Sequence, residues 1–376
     1  MIRQWRVLFA IGTRPEMIKL APVILQFRMD DRFATQVLFT AQHREMLDQM
    51  AEVFGISPDL DLNLMKVGQT PAEFLGDCIG RTAQVLREMR PDIIMVQGDT
   101  TTVLALALVG ALERIPIGHV EAGLRTYNKS SPFPEELNRQ IASVVATLHF
   151  APTLRAAENL QSENVDPLHI HIVGNTVVDA LDIVARETRE TQLSTILDEF
   201  IIKYPAFILA TAHRRENFGK PLLRICSSIK KIAITHPDVG IILPVHPNPN
   251  VQKVMFNEMQ NIRNLLLCNP INYYSFVHLL KNCKLALTDS GGVQEEAPSF
   301  RVPVVLMRED TERPEGVVAG ITKLVGTDES LIVSTVDEIL GSKDFFSTVG
   351  CHNNPYGDGN ASERIKDIIL NFFSGV

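Results

Sequence analysis

Residues 284–296 read KLALTDSGGVQEE. The apolar run ends at Asp289, turn formers follow at Ser290, Gly291 and Gly292, and Val293 to Glu296 can open a helix. Strand, tight turn and helix in immediate succession form the repeating unit of a parallel α/β sheet. The turn also has chemical character. Backbone N–H groups of Gly291 and Gly292 can approach an anion closely because neither residue has a Cβ. Yet Asp289 stands just before this seat, and Glu295 and Glu296 stand just after it. A Gly-Gly turn alone does not specify a ligand, so the carboxylates have to be explained from the rest of the chain.

Outward from this stretch the same unit recurs. Strand-like runs are WRVLFAI (5–11), ATQVLFT (34–40), DIIMVQ (92–97), IPIGHV (115–120), LHFAPT (148–153) and HIHIVGN (169–175). The second half adds AFILATA (206–212), VGIILPV (239–245), NLLLCN (264–269), KLALTD (284–289), PVVLM (303–307) and TKLVG (322–326). Runs that are apolar on both faces and separated by helical patterns read as buried parallel strands. There are too many for one comfortable open sheet, so the expected fold is α/β with two doubly wound, Rossmann-like domains. Pro167 and Gly174 flank the last strand of the first half, which puts the expected domains at 1–170 and 171–356. SERIKDIILNFFSG, after a Gly/Asn-rich NNPYGDGN, has the pattern of a terminal amphipathic helix.

Bulk properties narrow the function classes. The 376 residues carry a net charge of −8, from 36 Lys+Arg against 44 Asp+Glu, so no nucleic-acid partner is expected and any phosphate site must be local. The five cysteines (Cys78, Cys226, Cys268, Cys283, Cys351) have no C-x-x-C spacing. They read as small buried hydrophobes or inert thiols. The longest apolar stretch, 103–112, is far below the about 20 residues needed to cross a bilayer. A cytoplasmic protein with no membrane partner is the expectation.

Polar residues gather at strand ends, where open parallel sheets bind ligands. GTRPEMIK follows the first strand; Thr13 and Glu16 fit a capping box, and Arg14 and Lys19 add cationic charge near a helix start. A plainly capped helix with solvated cations reads equally well. In QGDTTT, Asp99 is either a reactive carboxylate or an N-cap, a role Thr100 could fill. Glu121 lies inside the apolar HVEAGL, where a carboxylate is costly unless paired. Glu135 and Glu136 open a helix after Pro134, where acids commonly serve the helix dipole. His213, Arg214, Arg215 and Glu216 follow another strand, reading as phosphate recognition with a proton donor or as a solvated charge run. Arg308 and Arg313 in MREDTERPEG strengthen the case for a nucleotide diphosphate. No G-x-G-x-x-G follows the first strand and no G-x-x-x-x-G-K-[ST] occurs anywhere, so neither a Rossmann oxidoreductase nor a P-loop NTPase is supported. No His or Cys pair has metal-ligand spacing, and no metal or other cofactor is expected.

GTRPEMIKLAP, VQGDTTT, GHVEAGLRT, SPFPEELNRQ, VGNTVVDAL, HRREN, PVHPNPNV, LTDSGGVQEEAPS, TERPEGV and NPYGDGNASERI occur in this order along nearly the whole chain. With them the sequence resembles the non-hydrolysing UDP-N-acetylglucosamine 2-epimerases. The resemblance implies a GT-B fold with the active site between the domains, and the last helix (357–376) returning to the N-terminal one. It also implies interconversion of UDP-GlcNAc and UDP-ManNAc by a homodimer that supplies surface polysaccharide synthesis. Asp99, Glu121 and Glu135 would be the acid/base set, with His213 at the diphosphate or glycosidic oxygen. Arg14, Ser290, Gly291 and Gly292 would hold phosphates, with Lys19 and Arg313 beside them, Phe276 at the uracil and Glu296 on the ribose diol. Gln42, Gln69 and His246 match a set that in some relatives binds a second UDP-GlcNAc. Gly68 stands where one subset of relatives has Arg, and Ile271 where some have Gln. A hydrolysing epimerase, an inverting glycosyltransferase of the same fold and a nucleotide-sugar-binding regulator are the competing expectations.

Overall fold

The computed structural model describes residues 4–130, 132–186, 193–342, 345, 347 and 353–375, without the side chains of Arg215 and Asn250. Its chain falls into two compact units, 1–183 with 356–376, and 184–355.

The first unit holds a parallel sheet of seven strands: β1 (Trp5–Ile11), β2 (Phe33–Phe39), β3 (Leu60–Asp61), β4 (Ile93–Gln97), β5 (Ile117–Val120), β6 (Leu148–Ala151) and β7 (Ile170–Ile172). Their order across the sheet is β3-β2-β1-β4-β5-β6-β7. The second unit has six, β8 (Phe207–Thr211), β9 (Gly240–Pro244), β10 (Leu265–Cys268), β11 (Leu285–Thr288), β12 (Val304–Leu306) and β13 (Thr322–Leu324), in the order β10-β9-β8-β11-β12-β13. In both sheets the chain winds outward on one side, then crosses back to start the other. The crossing points are β1/β4 and β8/β11, and there the loops after neighbouring strands diverge and leave room for a ligand.

The apolar runs are explained by the pleat. Ile208 and Ala210 of β8 face one core, with Ile241, Leu243, Leu285, Leu287 and Val305. Phe207 and Leu209 face the other, with Ile242, Ala286, Val304 and Leu306. Successive side chains point to opposite faces, and helices cover both, so the runs are apolar at most positions and turn polar chiefly at their ends, as at Thr211 and Thr288.

All the strands expected from the sequence are present; β3 was not foreseen, being a two-residue edge strand with no apolar run. The division lies after Ile183 rather than at 170. The cause is that β7 completes the first sheet by pairing with β6, and the helix Thr176–Arg186 begins in the same unit. The helix Ala361–Ser374 also belongs to the first unit, where Phe373 stacks on Trp5 with centroids 4.3 Å apart. Cys78, Cys226 and Cys283 are buried and Cys268 half-buried. Burial pushes the thiols of Cys78 and Cys283 up to about 12, which makes them unreactive. Cys351 lies outside the described residues.

Candidate active site

At the crossing point of the first sheet, Pro15 sits in the first turn of the helix Arg14–Arg28, as expected. The expected capping box does not form. Thr13 occupies the N-cap position without a side-chain cap bond. Glu16 instead folds inward, 1% exposed, and its carboxylate accepts hydrogen bonds from Gly12 N at 2.9 Å and Thr100 Oγ1 at 2.7 Å. It thereby ties the loop after β1 to the loop after β4. Burial raises its pKa to about 7. Arg14, at the same helix start, is exposed.

Thr100, not Asp99, caps the helix Thr101–Leu112, accepting from Val103 N at 3.2 Å. Asp99 is therefore not needed as a cap. Its side chain, 30% exposed, lies 3.4 Å from Nη2 of Arg139. Glu121 follows β5 directly, with its backbone at φ +64°. A non-glycine residue in that region costs about 1–2 kcal/mol. Its carboxylate is buried in an ion pair with Lys19, and Asn175 Nδ2 donates to the same Oε2 at 3.2 Å. The carboxylate inside HVEAGL is thus paired, and Lys19 serves Glu121.

Glu135 and Glu136 differ sharply in setting. Glu136 is buried and accepts from Thr126 N and Tyr127 N, both at 3.0 Å, and from Gln140 Nε2 at 2.8 Å. It anchors the 126–127 loop. Glu135, first in the helix Glu135–Val145, is half-buried. Arg139, on the same helix, is buried between Asp99 and Glu136. Its Nη1 is buried without a hydrogen bond among the described residues. Sequence reasoning passed over Arg139, although its spacing from Glu135 and Glu136 is that of a helical ion pair.

The second crossing point is organised by Asp289. Fully buried, it accepts from His213 N at 2.9 Å, Arg214 N at 2.9 Å and Asn217 Nδ2 at 3.0 Å. It orders the turn after β8 rather than its own. His213 Nδ1 lies 3.3 Å from Asp289 Oδ1, which orients the ring, and the ring stacks on His246 with centroids 5.5 Å apart. Ser290 N donates to Thr288 Oγ1 at 2.9 Å. Two guanidinium groups close on the turn. A Cβ built on Gly291 would stand 2.8 Å from Arg313 Nη1 and 3.3 Å from Arg214 Nη2, so only glycine leaves them in place.

Arg313 is held by Glu295 at 2.6 Å and by Glu312. Arg308 bonds Glu216 at 3.1 Å and Glu312 at 3.0 Å. Although burial alone would raise its pKa, the cations Arg313 and Arg308 hold Glu312 well below the usual carboxylate range. Glu295 is thus a buried salt-bridge partner. Glu296 is buried as well and accepts from Tyr273 Oη at 3.2 Å. Phe276 and Ile271 are partly buried and each packs against the core that holds Phe207 and Leu209 of β8 and Ala286 of β11. Of the remaining candidates, Gln42 accepts from Thr102 Oγ1 at 3.3 Å, and Gln69 donates to Asp77 at 2.9 Å. Among the described residues, no group of His, Cys, Asp and Glu is arranged to hold a metal ion, and no helix is long and apolar enough to cross a membrane.

The family profile described as UDP-N-acetylglucosamine 2-epimerase matches residues 26–370. The chain belongs to that family. It is accordingly a nucleotide-sugar isomerase. A UDP-N-acetylglucosamine 2-epimerase of Escherichia coli O157:H7 is 45% identical over 372 residues, covering 97% of this chain and 98% of that one. The UDP-GlcNAc 2-epimerase of Neisseria meningitidis, solved bound to UDP-GlcNAc, aligns with a TM-score of 0.90 at 42% identity, over 97% of this chain and all of that one. The Methanocaldococcus jannaschii UDP-GlcNAc 2-epimerase, solved with UDP-GlcNAc and UDP, aligns at 0.84 with 34% identity, over 97% and 99% of the two chains. The glycotransferase of kitacinnamycin, 12% identical with a TM-score of 0.69 over 98% and 99% of the chains, shares the fold alone. The two-sheet GT-B class expected from the sequence holds.

Proposed function

We propose that this epimerase-family chain interconverts UDP-GlcNAc and UDP-ManNAc without hydrolysis, by eliminating UDP and adding it back. The observation that carries this reading is Glu121, a buried carboxylate on a strained backbone, with Lys19 and Asn175 both donating to Oε2. Such strain persists where the surroundings over-determine a site.

The C2 proton of the sugar has no neighbouring carbonyl to acidify it. Inversion at C2 therefore requires transient oxidation or loss of the anomeric group, and the dinucleotide fingerprint of the first route is missing from the sequence. In the second route a carboxylate takes the proton from C2, the C1–O bond breaks, its electrons leave with UDP, and a C1=C2 double bond forms in 2-acetamidoglucal. UDP then re-forms the C1–O bond while a proton reaches C2 from the other face. Two faces call for two groups, drawn from Asp99, Glu121 and Glu135. The departing diphosphate needs fixed donors, for which Arg14, Ser290, Gly291, Gly292 and Arg313 serve, with His213 stabilising the leaving oxygen. Phe276 and Glu296 read the nucleoside. The relatives solved with UDP-GlcNAc and with UDP support this choice of substrate. The enzyme would work in the cytoplasm as a homodimer, supplying UDP-ManNAc for surface polysaccharide.

Incubation with UDP-GlcNAc in D2O, followed by proton NMR, tests the reading. Deuterium at C2 in a mixture of the two UDP-sugars is expected. Free sugar would indicate a hydrolysing enzyme, and an unchanged spectrum a binder or transferase. Gln42, Gln69 and His246 are proposed as an activator set. Initial rates with UDP-ManNAc alone should rise when UDP-GlcNAc is added; equal rates would remove that assignment.

A further inference from the structure

Asn175 belongs to the loop between β7 and the helix Thr176–Arg186, and is buried. Its backbone N–H donates to Tyr356 O at 2.7 Å, where the chain re-enters the first unit. Gly174 and Gly357 make that approach possible. A Cβ built on Gly357 would lie 3.2 Å from Asn175 N, and one on Gly174 would lie 3.4 Å from Gly357 Cα. The junction is then locked by Asp179, one turn further on. Its carboxylate accepts from Ser362 N at 2.8 Å and Ala361 N at 3.3 Å, at the start of the terminal helix. The side chain of Asn175 is equally fixed. Oδ1 accepts from Val177 N at 3.0 Å, which turns Nδ2 towards Glu121.

We propose that Asn175 is a positioning residue for Glu121, and that the returning C-terminal segment fixes Asn175 in place. Two donors on Oε2 set the rotation of the carboxylate about its side chain. Lys19 supplies charge; Asn175, with a planar amide held at its other end, supplies direction. The inference rests on the acid/base reading of Glu121 given above. It adds that residues 356–362, distant in sequence from every acid/base candidate, set the geometry of the C2 chemistry. The other charged groups at the junction are Lys19, Asp179, Asp182 beside Gly359, Asp358 and Arg364; Arg364 donates to Val173 O at 2.9 Å and to Asp358 Oδ1 at 2.8 Å.

Asn175→Asp and Asn175→Ser test this in the full-length protein, with wild type and Glu121→Gln assayed in parallel. Asn175→Asp sets a like charge beside Glu121 and should move the acidic limb of the kcat profile up by about one pH unit. Asn175→Ser removes the reach to Oε2 and should lower kcat about tenfold, with the Kd for UDP within about twofold of wild type. A purely structural role would leave the limb in place. If Glu121→Gln loses turnover while both Asn175 variants keep wild-type kcat and limb, the positioning role is wrong and the acid/base reading stands. If Glu121→Gln keeps turnover, the acid/base reading itself fails. If neither Asn175 variant folds well enough to bind UDP, Asn175 supports the fold and the proposal is overturned.

Discussion

The two sheets meet the same architectural problem, a crossing point flanked by polar loops, and spend their buried carboxylates on it in opposite ways. In the first unit, Glu121 is held out at Oε2 by Lys19 and Asn175, while Asp99 lies partly exposed beside Arg139. In the second, Asp289 is turned wholly inward, collecting the N–H groups of His213 and Arg214. There Glu295 and Glu312 take up Arg313. One loop set presents acids; the other consumes its acids to aim donors. On the proposed reading, the first set serves the carbon that changes configuration and the second the diphosphate that leaves. The contrast is sharpest between two carboxylates: Glu121 is held by a cation and an amide, whereas Asp289 gathers two backbone N–H groups together with the Asn217 amide.

The largest effect should follow from breaking the first half. Glu121→Gln removes a proposed acid/base group and should lower kcat by about 10²–10⁴. Its Kd for UDP, measured by calorimetry, should stay within about threefold of wild type, because the proposed nucleotide donors other than Arg14 lie in the other unit. A matching loss of UDP affinity would dissolve the contrast between the units.

Next is Asp289→Asn, which puts an amide donor where three donors converge. Leaving buried N–H groups unmatched should cost about 2–4 kcal/mol in urea unfolding, and kcat should fall with the loss of His213 orientation. A variant as stable as wild type would show that Asp289 does not organise the turn.

Glu16→Gln sharpens the comparison through pH. Glu16 keeps its proton up to about 7, against a usual value of 4.5. The native state thus binds this proton more tightly than the unfolded chain does. Its contribution is fully present below 4.5 and is lost as pH rises through 7. Wild type should therefore lose roughly 3 kcal/mol relative to Glu16→Gln between pH 4.5 and 7. His119 and His149, whose pKa values burial lowers to about 4 and about 3, act with the opposite sign and destabilise the native state below 6.5. They do so in both proteins and cancel in the difference. A flat difference would mean that Glu16 is ionised in the native state.

The smallest effect is expected from Gly291→Ala, whose Cβ meets Arg313 Nη1. The guanidinium can yield, but Glu295 and Glu312 resist, and UDP affinity should weaken by about tenfold. Unchanged affinity would place the diphosphate elsewhere.

The sequence showed the strands well, because strands buried on both faces are apolar at most positions, and it located the polar loops by their position after them. It could not show β3, which has no such run. Nor could it choose between Asp99 and Thr100 as the cap, since both residue types serve. The roles of Glu16, Arg139 and Asn175 depend on partners brought from elsewhere in the sequence. Pro167 and Gly174 are real punctuation, yet they bracket β7 within the first unit, so the division falls later. The resemblance placed Glu296 on the ribose diol and gave Glu295 no site role, but it could not show their partners. The three-dimensional setting supplies those partners, Arg313 for Glu295 and Tyr273 for Glu296.

The central claim is that UDP leaves the sugar, with its β-phosphate free to turn, and returns to it. UDP-GlcNAc labelled with 18O at the oxygen bridging C1 and the β-phosphorus tests this most directly. Cleavage of C1–O makes the terminal β-phosphate oxygens exchangeable by rotation before the bond re-forms. The account predicts that recovered UDP-sugars carry the label in both bridging and non-bridging positions, seen by 31P NMR. A label that stays at the bridge in UDP-sugar that has epimerised would contradict it.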